Sequence, residues 1–194
     1  MTEVDRVPPS LRSDAARNRK RLLAAARVRL AEGDRNLGMN ALARSAGVGV
    51  GTAYRHFPDR QSLLEGLAAD AMEGLVAAAQ QAAAEVEPAL GLERLLAAAL
   101  EAMAADPVLA DVLEAPVPVC VETVGLSRQL GGAMQNLMGR AAQAGLLRPG
   151  LTPDDVRRLL TGVHHAAQAG DDPSAARTRY LTVLLAGLKA DTTT

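Results

Sequence analysis

Residues 39–60 read Met-Asn-Ala-Leu-Ala-Arg-Ser-Ala-Gly-Val-Gly-Val-Gly-Thr-Ala-Tyr-Arg-His-Phe-Pro-Asp-Arg and constrain the fold more than any other stretch. Two short helical segments, near 39–46 and 50–57, are separated by Gly47 and stopped by Pro58. A glycine there supplies a positive φ that other residues tolerate poorly, so the chain can turn sharply between the helices. Ala43 is small where the two helices must cross, and Leu42 with Val48 can lock the crossing angle. These are the requirements of a helix-turn-helix, whose second helix presents its N-terminal residues to base edges in the major groove of DNA.

Upstream, a helical pattern starts at Asp14. Leu23, Ala26 and Leu30 share one face, Arg17, Arg19, Lys20, Arg21 and Arg27 lie mostly elsewhere, and Gly33 is the stop. Residues 1–13, with Pro8-Pro9, read as a flexible N-terminal arm. Leu23, Leu42, Ala46 and Phe57 can share a core, which makes 14–60 a three-helix DNA-binding domain. Asp59 can cap a long helix over about 60–84, with Leu64, Leu67, Ala71 and Leu75 as its stripe. Asp106-Pro107, Thr152-Pro153 and Asp172-Pro173 each pair a cap with a proline at the first helical position, and Asp155 completes a capping box with Thr152. These signals give helices near 92–105, 107–114, 119–144, 153–169 and 173–190, about nine in all, with no strand. Aromatic residues are only 2% and isoleucine is absent, which favours helix packed on helix. The expected fold is all-α: a three-helix head, then a helical-bundle regulatory and dimerisation domain over 61–194.

Charge separates the same two parts. Residues 1–60 carry a net charge of +6 and the remainder −7, so a polyanion-binding head is expected on an acidic body. Arg44, Tyr54, Arg55, His56 and Arg60 can donate to phosphates, and Arg17 on the first helix is a further candidate. A solvated basic face is the alternative for the first-helix arginines. The single cysteine, Cys120, excludes an intramolecular disulfide and reads as an apolar filler. No signal peptide or membrane span is expected, and the chain reads as cytoplasmic. His164 and His165, adjacent on one helix, point about 100° apart and make a poor metal pair. No cofactor, metal site or catalytic grouping is expected.

The run Ala-Gly-Val-x-x-Gly-Thr-x-Tyr-x-His-Phe-Pro-x-Arg, from Ala46 to Arg60, resembles the signature of the TetR family of bacterial regulators. The resemblance covers about 15–70 and includes the spacing to the arginine-rich first helix. It implies that Val50 and Gly51 begin the recognition helix closest to the bases. It also implies that Thr52 and Tyr54 contact backbone or nearby bases, that His56 and Arg60 lie near phosphates, and that Phe57 is the core residue beneath. Two positions depart from the pattern: Gly49 replaces a frequent serine cap, and Ala53 a larger aliphatic. Val50, Gly51 and Ala53 offer only apolar contact, for example to a thymine methyl.

The resemblance further implies a C-terminal domain that forms a homodimer and commonly holds a ligand. The expected dimer seam is Val156, Leu159, Leu160, Val163, Leu181, Leu184, Leu185 and Leu188, with Gly162, Ala166 and Ala167 permitting close approach. The expected pocket lining is Leu75, Leu96, Met103, Val119, Cys120, Met134, Leu137, Met138 and His165; an empty packed core fits those residues as well. The functional expectation is a repressor on a palindromic double-stranded operator, released when a small-molecule effector tilts the helix that starts at Arg60. A ligand-independent repressor, an activator or a broad nucleoid-type binder on the same head are alternatives, and a helical enzyme is a remote one.

Overall fold

The computed structural model describes residues 9–115 and 117–190. They form ten helices: α1 (Pro9–Ala31), α2 (Met39–Ala46), α3 (Val50–His56), α4 (Arg60–Leu67), α5 (Ala69–Ala83), α6 (Pro88–Ala105), α7 (Pro107–Glu114), α8 (Val121–Gln143), α9 (Pro153–Gln168) and α10 (Pro173–Leu188). Among the described residues there is no strand. A lone antiparallel bridge joins Leu147 to Lys189, with Arg148 N–H donating to Leu188 O at 2.8 Å. No described helix is long and apolar enough to cross a membrane.

The chain divides into two compact units, Met1–Leu67 and Ala68–Thr194. The sequence places the division at Arg60, because the pattern of apolar residues runs on without a break from 60 to 84. The structure instead ends α4 at Leu67 and begins α5 at Ala69. The residue between them, Ala68, has φ −85° and ψ 1°, off the helical values. One expected helix is therefore two, which also raises the count from nine to ten. No proline or cap marks the break and Gly66 lies inside α4, so alanine-rich periodicity alone could not show it. The expected arm over 1–13 lies partly outside the described residues; from Pro9 the chain is already helical, with proline near the helix start, where its missing N–H costs nothing.

In the first unit α1, α2, α3 and α4 close on Leu22, Leu42, Phe57, Leu63 and Leu64, all essentially inaccessible. Gly66 of α4 is part of that closure: a Cβ there would stand 2.9 Å from Phe57 Cε1 and 3.3 Å from Leu23 Cδ2. Asp59 caps α4, its Oδ1 accepting from Ser62 N–H at 2.7 Å while Ser62 Oγ donates to Asp59 O at 2.8 Å.

In the second unit α5, α6 and α8 pack around Met72, Leu95, Leu96, Met103 and Leu137, with α7 and α9 closing the bundle and α10 lying on α9. The expected caps form. Asp106 accepts from Val108 N–H, Asp172 from Ala175 N–H, and Thr152 with Asp155 makes a reciprocal capping box. Arg140 of α8 donates to the carbonyls of Ala83 and Val86 at 2.8 Å each and to that of Glu85, which ties α8 to the end of α5.

Candidate nucleic-acid interface

The turn between α2 and α3 is built by backbone chemistry. Gly47 takes φ 63°, ψ 35°, the left-handed conformation, and Val48 N–H donates to Ala43 O at 2.9 Å. An L side chain at that φ costs roughly 1–2 kcal/mol, which explains the glycine. Ala43 and Ala53 are both fully buried where α2 crosses α3. The alanine at 53, smaller than the resemblance leads one to expect, is thus fully enclosed in the head. Gly49 precedes α3 in extended conformation with no side-chain cap.

Upstream of α2, Asp34 forms the other joint. Its carboxylate accepts from Arg29 Nε at 2.8 Å and from the backbone N–H of Asn36 at 3.0 Å and Leu37 at 3.3 Å. The Arg29 hydrogen bond, with these backbone donors, holds its pKa below the ordinary carboxylate range. Leu37 itself is buried at φ 48°, a strained conformation for leucine that this clasp and the core hold in place.

With those joints set, α3 turns Ala53 and the following Phe57 inward and leaves Val50, Gly51, Tyr54 and Arg55 exposed. Val50 is 42% and Tyr54 45% accessible. Thr52 and His56 are half-buried at the edges of that face. Arg44 on α2 is exposed, and so is Arg60 at the start of α4, whose Nη2 also donates to Arg35 O at 3.3 Å. Arg17 is exposed beside Asp14, 3.0 Å away. Arg19 is placed differently from its neighbours: its guanidinium lies over the Phe57 ring at 5.3 Å, so it braces the recognition helix from behind. Sequence spacing contains no signal for that contact. Burial first, and then the Arg19 charge, lower the pKa of His56 below the ordinary 6.5. In the free chain His56 is therefore the neutral imidazole at neutral pH.

The second unit contains a cavity of about 290 Å³. Its walls include Met72, Leu75, Leu95, Ala99, Val112, Leu130, Met134 and Leu160, and its polar margin Ser127, Asp154 and Arg157. Of the residues expected to line a pocket, Leu75 and Met134 are on this wall. Leu96, Met103, Leu137 and Met138 are instead sealed in the core, and Val119 is exposed. Cys120 immediately precedes α8 and is half-buried off the cavity. His165 sits on the surface, its Nδ1 2.9 Å from Thr161 O and 3.1 Å from Glu114 Oε1. Its neighbour His164 is the buried one. No group of three or more metal-ligating side chains occurs among the described residues.

Comparison with known proteins follows the same division. The profile of the bacterial regulatory proteins of the tetR family matches residues 22–67. The profile described as "Transcriptional regulator SbtR-like, C-terminal domain" matches residues 87–190, more than half of the chain. The chain belongs to the TetR family. TetR-family transcriptional regulators are its relatives in structure too. It is 28% identical to a TetR transcriptional regulator from Streptomyces coelicolor, covering 90% of this chain and 99% of that one at a TM-score of 0.53. A tetR-family protein from Shewanella shares the fold at 18% identity and a TM-score of 0.64, over 90% of this chain and 99% of the other. Among curated proteins, an HTH-type transcriptional regulator of Staphylococcus aureus is 43% identical over 54 residues, 27% of this chain. The match spans only 29% of that relative's length. The chain is thus a TetR-family transcriptional regulator with an N-terminal DNA-binding head.

One exposed apolar surface of this TetR-family chain lies on α9 and α10. Leu159, Gly162, Val163 and Ala166 of α9 meet Tyr180, Val183, Leu184 and Gly187 of α10 in one shallow groove. Leu159 is 47% and Val183 70% accessible. Of the residues expected at a seam, Leu159, Val163, Leu184 and Leu188 border this groove, and Leu181 and Leu185 are half-buried beside it. Val156 and Leu160 point into their own bundle: Val156 is wholly buried and Leu160 forms cavity wall. Val183 and Tyr180 were not singled out from the sequence, though their spacing to Gly187 is the helical one that finds them.

Proposed function

We propose that the chain is a homodimeric repressor that acts in the cytoplasm on a palindromic double-stranded operator and leaves it when a small molecule fills the cavity. The observation that carries this reading is the two-sidedness of α9. Pro153, Asp154, Arg157 and Leu160 face the cavity. Leu159, Gly162, Val163 and Ala166, on the opposite side of the same helix, face the groove with α10. At 100° per residue these two sets cannot share a face. A two-fold copy docked on the groove would stack α9 and α10 against their equivalents, with glycine and alanine allowing close approach. Two heads related by that axis would address two half-sites, as operator symmetry requires.

In the DNA-bound state Val50, Gly51 and Thr52 approach bases, while Tyr54, Arg55, His56, Arg60, Arg44 and Arg17 donate to phosphates. Phosphate contacts set register and much of the affinity. An effector in the cavity would push on α9 from behind the dimer face and change the separation of the heads. To release DNA it must bind the non-DNA conformation more tightly, since equal affinity shifts nothing. The wall is aliphatic and thioether, and Arg157 is engaged by Asp154 Oδ1 at 3.0 Å through Nε and by Leu113 O at 2.6 Å. The site therefore suits a small, largely apolar, uncharged compound.

Sedimentation of Val183→Glu beside the parent chain tests the dimer. The parent is expected to run as a dimer and the variant as a monomer, with operator affinity lost alongside. A variant that stays dimeric would place the seam elsewhere. Thermal shift with a panel of small apolar compounds tests the effector site. A binder at a thousandfold excess over its Kd should stabilise by about 4 kcal/mol, and Ala99→Leu, which fills the cavity, should abolish that response.

A further inference from the structure

The outward side of α3 is unusual for a helix in a basic module. Its first turn exposes one valine, with Gly49 before it and Gly51 after it. A Cβ at Gly51 would meet nothing within 4 Å, and one at Gly49 only Thr52 Oγ1 at 3.9 Å. Both glycines therefore leave open space beside the Val50 isopropyl group, which is 42% accessible and takes no part in the core. Reading guanine takes Arg or Lys, reading adenine an amide, and reading cytosine a carboxylate. None of these side chains occurs in the first turn of α3, where the one hydrogen-bonding side chain is the half-buried Thr52. Arg55 and His56, the basic residues of α3, are both in its last turn. The one base-edge feature that an exposed isopropyl group can recognise is the 5-methyl of thymine. The bare glycines on either side let the backbone approach the groove floor closely enough for that contact.

Resting on the reading of the head as DNA-binding, we infer that Val50 selects thymine in each half-site by packing on its 5-methyl group. Hydrogen bonding at this position contributes nothing, and the specificity is a methyl-for-hydrogen distinction.

The experiment is selection of bound sequences from random duplex DNA with the full chain, followed by resynthesis of the enriched duplex with deoxyuridine in place of individual thymidines. Deoxyuridine removes the methyl and leaves every hydrogen-bonding group in place. At one position in each half-site the replacement should weaken binding roughly fourfold, and about fifteenfold when both half-sites are changed, the size expected for one buried methyl each. In Val50→Ala, which exchanges an exposed residue for a better helix former and so folds, both Cγ methyls are gone and the difference between the two duplexes should shrink well below fourfold. Equal binding of the thymidine and deoxyuridine duplexes by the parent chain would overturn the inference and leave the regulator reading intact. Discrimination that survives undiminished in Val50→Ala would overturn the assignment to Val50. A selection that enriches no sequence would overturn both the inference and the sequence-specific reading on which it rests.

Discussion

The two units of this molecule are made of the same alanine- and leucine-rich material, yet their surfaces are specified in different ways. In the head, residues that act locally set the geometry: Gly47 turns α2 into α3, Asp34 clasps the α1–α2 joint, and Asp59 with Ser62 starts α4. Once those joints form, which side of α3 faces out is fixed within a few residues. In the second unit α9 carries apolar residues on two sides, Val156 and Leu160 inward and Leu159 and Val163 on the groove. Whether Leu160 meets the cavity and Leu159 the solvent depends on where α7 and α8 lie, many residues away in sequence. Short-range chemistry therefore determines the exposed face of α3, and long-range packing determines the cavity and the groove.

The largest effect expected from this contrast is at Phe57. It is wholly buried, braced by Arg19 and in close contact with Gly66. Phe57→Ala should destabilise the head by about 3–5 kcal/mol, measured by chemical denaturation. A loss under 1 kcal/mol would mean that the head is not held by this core.

Gly47→Ala tests the local half of the contrast, with an expected loss of about 1–2 kcal/mol from the left-handed turn alone. The same exchange at Gly162, a helical position with open space around it, should leave the monomer fold unharmed or gain up to about 1 kcal/mol. Equal losses at both would erase the distinction drawn between the units.

The smallest effect is a pH dependence centred in the second unit. His164 is buried with Nδ1 lacking a hydrogen-bond partner. Burial first, then the charges of His165 and Arg177, lower its pKa, against a weaker opposing pull from Glu114. Unfolding restores the ordinary value near 6.5, so the unfolded chain binds the proton more readily. Stability is then complete above about pH 6.5 and is lost as pH falls through the lower folded-state value. His56 shifts in the same direction but is only half-buried. Urea titrations between pH 7.5 and 5 should show the decline, and His164→Asn should flatten it more than His56→Asn. A slope unaffected by His164→Asn would assign the dependence to other groups.

What could be read from the sequence follows the same line. The caps at Asp106, Thr152 and Asp172 and the turn at Gly47 were legible because each is a short-range chemical requirement. The break at Ala68 was not, since no proline or cap marks it and Gly66 lies inside α4, packed against Phe57. The cavity was legible only at Leu75 and Met134, because Leu96, Met103, Leu137 and Met138 satisfy the same apolar pattern from inside the core. The α9–α10 groove is half legible: periodicity finds the helix but not which of its two apolar sides stays uncovered, so Val156 and Leu160 are inside while Val183 borders the groove.

The central claim, that the α3 face is a sequence-specific DNA reader, is tested most directly by fluorescence anisotropy. Selected duplex would be titrated with the parent chain and with Tyr54→Ala at several salt concentrations, with random DNA as competitor. The account predicts binding by two chains per duplex that resists competitor and weakens with salt, with Tyr54→Ala weaker on every sequence while its fold is retained. Binding that random DNA abolishes, or that is unchanged in Tyr54→Ala, would contradict it.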